Sequence, residues 1–105
     1  MAWREVFYEY DGSFEGLLCC IYESYTKKEL PAAFFLDGEP EPCLYEVRAV
    51  VTDAAHARRV YQSFRRFSPE VGPLLRRAHL TCLPNKEMAI YRFAAKLYCE
   101  GEPLL

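Results

Sequence analysis

REVFYEYDGSFEGLLCCIYESYTKK, residues 4–28, contains the transition on which the fold turns. Its first seven residues alternate, with Val6, Tyr8 and Tyr10 on one side and Glu5, Phe7 and Glu9 on the other, the pattern of a half-covered strand. Asp11-Gly12 then breaks the alternation and Ser13 is placed to cap a helix. From Phe14 the period changes: Phe14, Leu17, Leu18, Ile21, Tyr22 and Tyr25 recur every three or four residues and predict a helix over 14–28. Glu15 in its first turn and Lys27-Lys28 in its last suit the helix dipole, and Leu30-Pro31 stops it. Strand followed by helix is the opening of an α/β unit.

Working outward, residues 31–43 hold Pro31, Gly38, Pro40 and Pro42 with Asp37, Glu39 and Glu41, and read as a proline- and acid-rich loop. LYEVRAVVT (44–52) predicts a second strand, with Tyr45, Val47, Ala49 and Val51 as its apolar side. Asp53 caps a helix over 54–67 that turns Ala57, Val60, Tyr61, Phe64 and Phe67 inward. Ser68-Pro69-Glu70 opens a third helix running to about 82, with Gly72-Pro73 delaying or distorting its first turn. Pro84-Asn85 opens a fourth over 86–99, and Gly101 ends it. The expected class is α/β, with α+β as the alternative: two short strands, parallel if they pair, and about four helices in one small domain.

The last helix is apolar over most of its circumference, with Lys86, Glu87, Arg92 and Lys96 its only charges before residue 100. Such a helix wants neighbours on several sides. Self-association through 86–99, or an incomplete domain that a longer chain would finish, is the expectation. The ending Pro103-Leu104-Leu105 reads as a chain cut short.

Composition narrows the functional classes. A 51% hydrophobic, 15% aromatic chain of 105 residues can bury a core. No apolar run has the length of a membrane span, and the charged start MAWREVFYEY does not look like a secretory signal, so the expected location is the cytoplasm. Cys19, Cys20, Cys43, Cys82 and Cys99 are odd in number and lack metal-site or iron–sulfur spacing; packing thiols are expected, and no metal or cofactor. Asp11 to Gly16 lies where backbone amides could cradle a phosphate. Its glycines match no nucleotide-binding fingerprint, so turn and helix cap is the simpler reading. His56 and His79 lack an identified third ligand.

The charge is divided more sharply than the net −2 suggests. Residues 1–53 carry 4 basic and 11 acidic side chains, residues 54–96 carry 9 basic and 2 acidic. Arg58 and Arg65 are seven residues apart on the predicted second helix, as are Arg59 and Arg66, so each pair returns to nearly one angle about 10 Å along the axis. Arg76, Arg77 and His79 extend the basic run. A solvated face, or one neutralised by the acidic half, is the plain alternative to a phosphate-contacting surface.

YEYDGSFEGLLCCIYESY (8–25), the proline- and acid-bearing loop, EVRAVVTD (46–53) and ARRVYQSF (57–64) together resemble the N-terminal portion of a longer bacterial family associated with DNA metabolism and DNA repair. SPEV and LLRRAHLTCLP within 68–84 fit it more loosely. The resemblance implies a cytoplasmic protein that accompanies a radical-SAM DNA-modification or repair protein; related domains occur fused to glycosylase-like ones. It transfers no catalytic residue, and the five cysteines do not reproduce the partner's cluster. Three functional expectations follow: a non-catalytic segment contacting DNA or a partner through its arginine-bearing helices, a lesion-processing or glycosylase-like enzyme completed by further residues, and a structural subunit docking on the radical-SAM protein.

Overall fold

The computed structural model describes residues 3–38, 46–81 and 85–100. Three strands, β1 (Arg4–Tyr10), β2 (Glu29–Leu36) and β3 (Glu46–Ala49), form a parallel sheet in the order β2-β1-β3. The helices are α1 (Phe14–Lys27), α2 (Ala54–Arg65), α3 (Val71–His79) and α4 (Lys86–Glu100). The α/β class therefore holds, with four helices and one strand more than the alternation predicts.

Local chemistry sets the first boundaries. Asp11 Oδ1 accepts from the Ser13 amide at 2.9 Å and the Ser13 hydroxyl at 2.6 Å; Ser13 Oγ in turn accepts from the Gly16 amide at 2.9 Å, capping α1. Gly12, at φ +88°, makes the left-handed step between strand and helix. Helix α1 ends at Lys28 (φ 58°, ψ 55°), whose amide donates to Ser24 O. The chain passes directly into β2, leaving a single residue between helix and strand.

That strand corrects the expected loop over 31–43. Residues 29–36 pair along β1 from Arg4↔Glu29 to Tyr10↔Leu36, with a register shift after Val6↔Pro31. Pro31 is compatible with this because β2 is an edge strand, where a missing N–H is tolerated. The remainder of that segment, 39–43, lies outside the described residues.

Val6, Tyr8 and Tyr10 join Leu17, Leu18, Cys19, Cys20 and Ile21 of α1 and Ile90, Tyr91, Ala94 and Tyr98 of α4 in one core. On the other side of β1, Phe7 packs edge-on to Phe35 with ring centroids 5.3 Å apart. Strand β3 reverses the expected polarity. Its apolar side is the open one, with Val47 and Ala49 exposed and Val51 beyond it 83% exposed, while Arg48 and Val50 turn inward. The reason is electrostatic: Arg48 donates to Glu29 and Glu23, both at 2.6 Å.

Helix α4 is pinned at three heights. Tyr10 donates to Glu87 at 2.8 Å, the hydroxyls of Tyr91 and Ser24 meet at 2.7 Å, and that of Tyr98 meets Ser63. The buried side of α4 is thus Ile90, Tyr91, Ala94 and Tyr98, leaving Ala89 and Phe93 exposed. Helix α3 begins at Val71, later than the Ser68-Pro69 signal implies; the Ser68 hydroxyl accepts from the Glu70 amide in the preceding turn. Gly72 is required by close approach, since a Cβ there would lie 2.5 Å from the Tyr61 ring.

Candidate nucleic-acid interface

Asp53 starts α2 by accepting from the amides of Ala55 at 2.9 Å and His56 at 3.2 Å. The cap is held to α1 by Cys19, whose Sγ donates to Asp53 O at 3.3 Å and accepts from its amide at 3.2 Å. Ala57, Val60 and Phe64 are buried, which fixes the rotation of α2. Arg58, Arg59 and Arg65, with Arg66 at the C-cap, consequently face solvent, arranged on either side of Gln62. Among the described residues none of these four guanidinium groups forms an ion pair.

The acids of the N-terminal half are engaged elsewhere. Glu29, with 2% of its side chain exposed, accepts from Arg4 at 2.7 Å, Arg48 at 2.6 Å and the Tyr8 hydroxyl at 2.9 Å. Burial opposes its charge, but the bonds from Arg4 and Tyr8 and the field of Arg48 hold its carboxyl below the usual glutamate range. Glu46 pairs with Arg4 at 3.1 Å, Glu23 with Arg48. Asp11 takes hydrogen bonds from Ser13 and from the Thr52 hydroxyl at 2.8 Å. Glu23, Glu29, Glu46, Asp11 and Asp53 thus serve the sheet and the helix caps, and among the described residues no acid of the first 53 pairs with the α2 arginines.

Helix α3 does not continue that surface as expected. Arg76 is drawn back over α1, 4.8 Å from the Phe14 ring centroid and 3.4 Å from Glu15. Arg77 is exposed and borders a cleft beside Ser68 and Glu70. His79 is the clearest departure. Only 5% exposed, its Nε2 lies 3.3 Å from the Tyr10 hydroxyl and its ring packs on Phe14, so it belongs to the core. Its apolar neighbours on the same turn do not reveal this in sequence, because the partner, Tyr10, is 69 residues away.

Other sequence candidates resolve into structure. Cys19 and Cys20 are buried, and burial pushes both thiols up, away from reactivity. Cys99 is exposed; Cys43 and Cys82 lie outside the described residues. His56 stacks on Tyr22 with centroids 3.9 Å apart. No group of three or more metal-binding side chains gathers among the described residues. None of the described helices is long and apolar enough to cross a membrane. The Glu29 cluster was invisible in sequence, since this β2 carboxylate gathers Arg4 and Tyr8 from β1 and Arg48 from β3.

Fold and surface together define a small parallel α/β unit with a cationic helix face. No family model, curated protein or solved structure matches the chain.

Proposed function

We propose that the chain is a non-catalytic nucleic-acid contact unit that grips the phosphate backbone through Arg58, Arg59, Arg65 and Arg66. The observation that carries this reading is the solvent-facing arginine set without carboxylate partners among the described residues, while Glu23, Glu29 and Glu46 are paired with Arg4 and Arg48 at the sheet. One turn-pair of arginines spans about 10 Å, the axial rise of about three phosphates on one strand of a duplex. Arginine suits such contacts by its fixed fork of donors. Contacts of this kind are to the backbone, so the binding is sequence-independent. The resemblance to DNA-repair-associated proteins supports DNA as the polymer and a radical-SAM protein as the companion that supplies chemistry; the buried, proton-retaining Cys19 and Cys20 fit a unit without a nucleophile of its own.

Duplex and single-stranded DNA binding across a salt series tests this. Replacing all four arginines by glutamine should flatten the slope of log affinity against log salt by about 3 to 4 on duplex DNA, at about 0.9 per lost phosphate contact. An unchanged affinity and slope would remove α2 from the function.

A further inference from the structure

A cleft of about 560 Å³ runs between β2 and the N-terminal half of α4. Four consecutive strand residues, Ala32 to Phe35, line it. Neighbouring residues of a strand point to opposite faces, so a wall made of four in succession is the strand's edge rather than one face. That edge is the outer one: β1 pairs with β2 on its inner side, and no strand flanks its other side among the described residues. An edge strand directs half its amides and carbonyls outward, and natural edges are usually protected by charge, proline or a bulge in the exposed run. Here Ala33-Phe34-Phe35 carries no charge and no proline, and the register shift, which leaves Ala32 unpaired between Val6↔Pro31 and Phe7↔Ala33, ends before it.

The opposite wall sets the chemistry of what fits. Arg92 is exposed, lines the cleft, and has no ion-pair partner among the described residues. Glu87, the other charge in the wall, already accepts from the buried Tyr10 hydroxyl. The lining is otherwise mostly alanine, phenylalanine and methionine. We propose that this cleft is a peptide-binding groove, in which an extended, apolar segment of a partner protein adds a strand to β2 and places a carboxylate against Arg92. Main-chain hydrogen bonds to β2 would supply affinity and the α4 wall selectivity, the division of labour in strand addition. The described lining of the groove comes from β2, Asn85 and α4 and includes none of the α2 arginines, so it can hold a protein partner whatever α2 binds.

The test is titration of the isotope-labelled chain with the blocked peptide acetyl-Val-Val-Glu-Val-Val-amide and with its lysine counterpart. Slowed hydrogen exchange at residues 32–35, amide shifts there and around Arg92, and about a twofold to fivefold preference for the glutamate peptide are expected from one exposed ion pair. Arg92→Glu should invert the preference, and Arg92→Gln, which is gentler on folding, should abolish it. Absence of shifts at millimolar peptide, equal affinity for both peptides, or a preference that survives Arg92→Gln would overturn the proposal. So would protection of 32–35 that grows with protein concentration in the absence of peptide, which would assign the edge to a second copy of the chain.

Discussion

Replacing Glu29 by glutamine should be among the most damaging single changes available to this fold. The carboxylate is 2% exposed and ties β2 to β1 through Arg4 and Tyr8 and to β3 through Arg48, whose side chain is itself only 22% exposed. Glutamine keeps the volume but leaves Arg48 facing a neutral amide, and breaking a buried pair by neutralising one member costs about 3–5 kcal/mol. Because Glu23 still engages Arg48, the low end, about 3 kcal/mol, is expected. A chain of this size has about 5–15 kcal/mol in total. In urea, with a slope of about 1.5 kcal/mol per molar, the midpoint should fall by about 2 M. The pH dependence provides an independent check. The folded carboxyl titrates below its unfolded value, so its contribution is complete above the ordinary glutamate range near 4.5 and is lost as pH falls through the folded pKa. The gap between wild type and Glu29→Gln should therefore narrow below that range. A loss under about 1 kcal/mol at neutral pH, or a gap that stays constant down to pH 3, would refute this account of the cluster.

The other predictions address the core and the surface separately. His79 is held neutral by burial and by Lys86 nearby, with its pKa below the unfolded value; stability should decline as pH falls from about 6.5 toward the folded pKa, and His79→Gln should lessen that decline in chemical denaturation. Gly72→Ala drives a methyl into the Tyr61 ring and should cost about 1–3 kcal/mol, read by thermal unfolding, with Tyr61→Ala relieving part of the penalty. Of Cys19, Cys20 and Cys99, a thiol reagent followed by mass mapping should label Cys99 alone in the native chain and all three in denaturant. The four-arginine variant of α2 should unfold within about 0.5 kcal/mol per site of wild type, since those side chains are exposed, so its loss of DNA binding would report on the surface.

Residues whose partners are close in the chain could be read directly. The change of period at Asp11 to Ser13, the Ser13 and Asp53 caps and the buried stripe of α2 all appear where the spacing puts them, because capping and helical periodicity involve neighbours within about four residues. The rotation of α2 also determines that Arg58, Arg59, Arg65 and Arg66 face outward, so this much of the candidate site was legible. Tertiary structure decided what depends on distant partners. Pro31 looks like a loop residue until β2 is seen to be an edge strand. Arg48 looks like the polar side of β3 until Glu29 and Glu23 draw it inward and turn the valines out. His79 looks like an extension of the basic surface until Tyr10 and Phe14 enclose it. Local pattern records which side chains share a face, whereas the choice of which face is buried rests on electrostatic and packing partners brought together only by the folded chain.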